Sequence, residues 1–98
     1  MKINKVLEGT KLSIDIEGRL DTSTAPSLEI EIKQNITGIT ELILDIEQLE
    51  YISSAGLRVL LSAQKVMNTQ GTMIIKNANE TVLEVFEVTG FMDFLTIE

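Results

Sequence analysis

The sequence has 98 residues, enough for one domain with one modest core, and 44% of them are apolar against 23% charged. Fifteen acidic and eight basic residues leave a formal charge of −7, so no basic excess exists to neutralise the phosphates of a nucleic acid. With no cysteine and no histidine, disulfides, thiolate chemistry, an ordinary zinc or copper site and a neutral-pH general base are all excluded.

Residues 2–7, KINKVL, and 11–17, KLSIDIE, read as two strands. In the second, Leu12, Ile14 and Ile16 alternate with Ser13, Asp15 and Glu17, the pattern of a strand with one buried and one wet face. Glu8-Gly9-Thr10 is short enough to join the two as a hairpin, and Gly18 is expected to end the second strand. Next, Thr22, Ser23 and Thr24 precede Ala25-Pro26, a capping run followed by proline in a first helical turn. The segment after it is two-valued. Leu28, Ile32 and Ile36 recur every four residues, as in a helix, while Leu28, Ile30 and Ile32 alternate with charged residues, as in a strand. The capping signals and the glutamates of the early turns decide for a helix, closed by Thr37-Gly38.

Residues 41–46 contain the apolar run Leu42-Ile43-Leu44, interrupted by Asp45 and resumed by Ile46. Such a run predicts a strand buried on both faces of a parallel sheet. A loop is expected over 47–52, then Ser53-Ser54-Ala55-Gly56. Beyond it the period changes: Val59, Leu60, Ala63, Val66 and Met67 form one helical stripe, and Arg58, Ser62, Lys65 and Thr69 the opposite one. Gly71 stands at a plausible C′ position for this helix over 54–69. Met73-Ile74-Ile75 predicts a further strand. Asn79 can cap a helix that turns Val82, Leu83, Val85 and Phe86 inward and ends at Gly90. Phe91, Phe94, Leu95 and Ile97 give an apolar tail whose end is read as a short strand.

The order is therefore ββαβαβα(β), an α/β domain with a mixed four- to five-stranded sheet and helices packed against it. The first two strands pair antiparallel, and the helices between later strands imply parallel crossovers. No apolar run approaches the roughly 20 residues of a membrane span, and the N-terminus lacks the apolar core of a signal peptide, so a cytoplasmic chain without membrane insertion is expected.

The chemistry concentrates where the buried strand has ended and the amphipathic helix begins. Two hydroxyls, Ser53 and Ser54, sit there beside the unpaired N–H groups of a helix start. One reading is a simple N-cap. A serine nucleophile fails, because no histidine can take the proton and no glycine stands two places before Ser54 to form a nucleophile elbow. Phosphorylation is the third reading: an anion is locally favoured at a helix N-terminus, and Ala55 and Gly56 leave room for a kinase. Asp45 lies at the end of a buried strand, where parallel sheets place ligands, and Asp21 in the first loop, and the two are candidates to converge near Ser54; each could equally bond local backbone in a turn. Arg58 and Lys65 read as the solvated stripe of the helix. No glycine-rich phosphate loop is present and no cofactor is expected.

Residues 45–61, DIEQLEYISSAGLRVLL, resemble the signature of STAS domains, specifically of bacterial anti-sigma-factor antagonists. There an acidic strand end, a loop and an aliphatic residue lead into Asp-Ser-[Ser/Thr/Ala]-Gly-Leu at a helix start. Gly18-Arg19-Leu20-Asp21 is similar to the family's Gly-x-[Leu/Ile]-Asp motif, and Thr89-Gly90-Phe91 to the end of its last helix. The resemblance implies one such domain over residues 1–98, non-enzymatic, with Ser54 as phosphorylation site. Asp21, Thr24, Asp45, Ser53, Ala55, Gly56 and Arg58 would form the surroundings of that site and the partner-binding surface. The family aspartate is replaced by Ser53, which makes Ser53 a competing acceptor. The implied partners are an anti-sigma factor with serine kinase activity, bound in the unphosphorylated state to release a sigma factor, and a phosphatase. The resemblance also admits a scaffold subunit of a lipid-transporting ABC system, or of a stressosome-like complex, not switched by phosphate.

Overall fold

Leu12, Ile14 and Ile16 are buried while Ser13, Asp15 and Glu17 are not, so the alternating stretch is a strand with one face in the core. A computed structural model describes all 98 residues, Met1–Glu98. The strands are β1 (Lys2–Glu8), β2 (Lys11–Leu20), β3 (Glu41–Asp45), β4 (Leu49–Ile52) and β5 (Thr72–Lys76). The helices are α1 (Ala25–Asn35), α2 (Ser54–Asn68) and α3 (Glu80–Thr89), followed by a 3-10 turn at Phe91–Asp93. The five-stranded sheet runs β1-β2-β3-β5, with β4 alongside the end of β2. β1 and β2 form the antiparallel hairpin, turning at Gly9 with φ +62°; β2, β3 and β5 are parallel neighbours.

Burial settles the two-valued segment 25–36. Leu28, Ile32 and Ile36 are buried and Ile30 is 55% exposed, whereas a strand would have buried Ile30 with its neighbours. α3 forms as the sequence indicates. Asn79 Oδ1 accepts from the Val82 N–H at 2.9 Å, Val82 and Phe86 are fully buried, and Gly90 closes the helix in the left-handed region at φ +78°.

Five expectations change. β3 is buried on one face only: Leu42 and Leu44 are covered, Ile43 is half-buried, and Ile74 beside it in β5 is half-buried as well. The other face of the sheet is left bare. The stretch 47–52 is not all loop, because Leu49–Ile52 pairs parallel with β2. Gly18 does not end β2 but carries it through an irregularity, at φ +98°, with a register shift between Gly18 and Arg19 before pairing resumes with β4. The C-terminal strand reduces to a single bridge between Ile75 and Ile97. In α2, Val66 is 42% exposed and Gln64 is buried instead, its Nε2 donating to Asn68 Oδ1 at 2.8 Å.

Gly71 also has a different reason from the one its position suggests. α2 ends at Thr69 in right-handed geometry, and Gly71 has no positive φ. A Cβ at residue 71 would stand 1.9 Å from the Thr40 carbonyl oxygen. Thr40 is itself fixed: its N–H donates to Thr10 O at 2.9 Å, the two threonine hydroxyls lie 2.8 Å apart, and its carbonyl accepts from Thr72 N–H at 3.0 Å. Thr10, Thr40 and Thr72 thus clasp the starting ends of β2, β3 and β5.

Candidate functional site

The carboxyl end of β2, with β4 alongside it, holds the two serines. Leu20 of β2 and Ile52 of β4 are paired, and the chain continues into Ser53, whose N–H donates to Leu20 O at 2.9 Å. Ser53 is extended at φ −97°, ψ 176° and is the N-cap of α2; its Oγ accepts from the Gly56 N–H over a long 3.4 Å. Ser54 is the first helical residue, exposed, with its Oγ in no hydrogen bond within the chain. Adjacent serines therefore divide two tasks: one hydroxyl is spent on the helix, the other is left to solvent.

Gly56 brings the helix start down onto the sheet end. A Cβ there would lie 2.7 Å from Leu20 Cγ and 2.9 Å from Ile52 Cγ1, so a larger residue would lever α2 away from β2 and β4. Ala55 and Arg58 line one groove with Thr22, Ala25 and Pro26, placing the β2–α1 connection beside the exposed face of the α2 start. Arg58 forms no ion pair within the chain and stands exposed one turn after Ser54.

Asp21 and Thr24 fold that connection. Asp21 Oδ1 accepts from Ser23 Oγ at 2.7 Å, from Ser23 N–H at 3.0 Å and from Thr24 N–H at 3.2 Å. Thr24 caps the α1 start in position only; its hydroxyl donates to Arg19 O at 2.7 Å and accepts from Asp21 N–H at 2.9 Å. The Ser23 hydroxyl above all, then the Ser23 N–H, hold the Asp21 carboxyl below its ordinary value against an opposing desolvation, with lesser help from the Thr24 N–H and hydroxyl. A depressed carboxylate stabilises the fold above its unfolded pKa, and that contribution is lost as pH falls through the folded value. Asp21→Asn is accordingly expected to melt below the wild type at neutral pH, with the gap closing as pH drops under about 4. Thermal melts across that range check it; a gap independent of pH would mean that the charge contributes nothing.

Asp45 is not brought to this junction. It registers with Asp15 of β2, six residues before Asp21, a separation of about 20 Å along the strand. Its Oδ1 accepts from Glu47 N–H at 3.0 Å and its Oδ2 from Asn77 Nδ2 at 3.2 Å, a turn-fixing role. It opens instead onto a depression of the bare face shared with Lys2, Asn4, Asp15, Glu17 and Glu47. The sequence reading missed Arg19 and Tyr51, which register across β2 and β4 and place the guanidinium 4.3 Å above the ring next to the junction. The signal, an aromatic two residues before the cap, was hidden by taking that stretch for loop. No three His, Cys, Asp or Glu side chains are grouped to hold a metal ion, and no helix is long and apolar enough to cross a membrane.

With this geometry in view, comparisons with known proteins agree on one family. The family model described as STAS domain matches residues 2–98. BtrV of Bordetella bronchiseptica, named an anti-sigma factor antagonist, is 36% identical over 84 residues, covering 84% of this chain and 72% of that protein. The anti-sigma-B factor antagonist of Listeria monocytogenes is 29% identical over 90 residues, covering 89% and 78%. Among solved structures, the anti-sigma factor antagonist SpoIIAA in its unphosphorylated form superposes with a TM-score of 0.84 at 21% identity, over 99% of this chain and 88% of that one. SpoIIAA from Bacillus in its phosphorylated form gives 0.77 at 20% identity, over 99% and 91%.

Proposed function

Because the chain belongs to the STAS domain family, we propose that it is an anti-sigma-factor antagonist switched by phosphorylation of Ser54. Unmodified, it binds an anti-sigma factor that is also a serine kinase, and so frees a sigma factor. Phosphate on Ser54 breaks that complex, and a phosphatase restores it. The chain is the substrate of this cycle and catalyses none of it. The observation that carries the reading is the division of labour at the start of α2: Ser53 Oγ caps the helix, while Ser54 Oγ is exposed and unbonded. Ser54 is the more exposed of the two serines and its oxygen carries no hydrogen bond, which supports it over Ser53 as the acceptor. The names of the relatives support the anti-sigma factor as partner.

Incubating the chain with its cognate anti-sigma kinase and ATP, followed by phosphopeptide mapping, tests the assignment. The phosphate is expected on Ser54, and Ser53→Asp is expected to fold and bind its partner, since aspartate caps a helix as well as serine. Phosphate found mainly on Ser53 overturns the choice of acceptor. Recovery of an ABC ATPase instead of a kinase-like anti-sigma factor, in a pull-down with the whole chain, overturns the function.

A further inference from the structure

β1 is the last strand of the sheet, and its outer edge faces no other strand. Its register with β2 assigns each side chain to a face. Lys2, Asn4, Val6 and Glu8 lie opposite Glu17, Asp15, Ser13 and Lys11 on the bare face; Ile3, Lys5 and Leu7 lie opposite Ile16, Ile14 and Leu12 on the helix face. Two large apolar side chains stay in water on this one strand, Val6 at 57% and Leu7 at 59% exposure. An edge strand of this kind is an open template for another strand.

We propose that β1 pairs antiparallel with β1 of a second copy of this chain, about a two-fold axis through Lys5, joining the two sheets into one. The register follows from charge and face. A two-fold perpendicular to the sheet keeps each face continuous, so opposed residues are both even-numbered or both odd-numbered. With the axis at Lys5, Lys2 faces Glu8, Ile3 faces Leu7 and Asn4 faces Val6, each pair occurring twice by symmetry. Moving the axis to Asn4 sets Lys2 against Val6 and Ile3 against Lys5. Moving it to Val6 sets Asn4 against Glu8 and Lys5 against Leu7. Of these, only the Lys5 axis sets Lys2 against Glu8 and Ile3 against Leu7; it also brings Lys5 opposite Lys5 of the second copy, a like-charge contact that costs something at the axis itself. Lysines on an edge strand ordinarily guard against such pairing. Here Lys5 already pairs with Glu31 of α1, which offsets the charge brought together at the axis, while Lys2, whose side chain is 71% exposed and only 3.8 Å from Glu17, keeps a charge that Glu8 of the second copy can meet. The pairing uses β1 alone and leaves the junction at Ser54 untouched; it does not depend on the function proposed for that junction.

Analytical ultracentrifugation of the whole chain at physiological salt, from about 1 µM to about 1 mM, reads the association directly. A concentration-dependent monomer–dimer equilibrium is expected. Lys2→Glu alone and Glu8→Lys alone should each weaken it by about tenfold or more, because attraction at both symmetric pairs becomes repulsion. An equimolar mixture of the two variants should recover association close to the wild type, since every such pair is again opposite in charge. Far-ultraviolet circular dichroism confirms that each variant is folded. A chain that stays monomeric throughout, a dimer indifferent to both substitutions, or a mixture as weak as the single variants overturns the proposal.

Discussion

Replacing Gly71 by alanine is expected to lower the melting temperature by more than about 12 °C. The methyl would have to occupy a point 1.9 Å from Thr40 O and 2.6 Å from its carbonyl carbon, so the obstacle is backbone and not a side chain that can rotate away. Thr40 cannot retreat cheaply, because its N–H, hydroxyl and carbonyl are all engaged with Thr10 and Thr72. Overpacking commonly costs about 1–3 kcal/mol, and a clash with a tethered main chain belongs at or beyond the upper end. A domain of this size has only about 5–15 kcal/mol to lose, and each kcal/mol shifts its midpoint by roughly 4–8 °C. Gly38→Ala is the informative control. At φ +80° it incurs the left-handed penalty of about 1–2 kcal/mol but meets nothing within 4 Å, so it should melt above Gly71→Ala. Calorimetry on the pair decides it: equal midpoints, or a Gly71→Ala midpoint near the wild type, would show that the clasp yields.

The second large effect is on affinity and not on stability. Ser54→Asp, or phosphate on Ser54, is expected to weaken binding to the anti-sigma kinase by well over tenfold, while Ser54→Ala binds normally and is not released by ATP. The hydroxyl bonds to nothing within the chain, so a charge there breaks no internal hydrogen bond. A helix start favours an anion by about 0.3–1 kcal/mol when exposed. Repulsion from the −7 chain opposes this but is screened beyond about 8 Å at physiological salt. Two small opposing contributions leave the melting temperature within a few degrees of the wild type. At an interface the same charge loses its water, and an unpaired buried charge costs about 2–5 kcal/mol. Titration calorimetry alongside thermal melts separates the two quantities. A large melting shift in Ser54→Asp, with amide chemical-shift changes spread through the sheet, would mean that the switch works by refolding.

What the sequence disclosed was what depends on neighbours a few residues apart. Ser53 and Asn79 announce caps because their side chains bond N–H groups two or three residues on, and Gly90 announces a helix end because it alone enters the left-handed region cheaply. Ser54 was visible as a candidate from its place in that local frame. What stayed hidden depends on contacts distant in sequence. Leu49-Glu50-Tyr51-Ile52 is too short to show a period, and becomes a strand only because the end of β2 lies alongside it. Ile43 and Ile74 make their strands look buried on both faces, although nothing covers the second face fully. Asp45 stood at a strand end, as a ligand-binding residue would, but only the register with Asp15 reveals how far that end lies from Asp21. Gly71 looked like a helix terminator because its conflict is with Thr40, thirty-one residues earlier in the chain.

The threonine clasp lies at the starting end of β2 and the serine junction at its carboxyl end, within a body measuring 33 × 26 × 20 Å. That separation makes the domain a convenient scaffold for retargeting. A combinatorial library confined to Thr22, Ala55, Arg58 and Ser62 varies the groove beside Ser54 without touching any hydrogen bond of the clasp. Positions 10, 40, 71 and 72 should be held fixed in such a library. Stability would then be inherited from one pole of the sheet while recognition is rewritten at the other, and failed library members could be attributed to lost binding before lost folding.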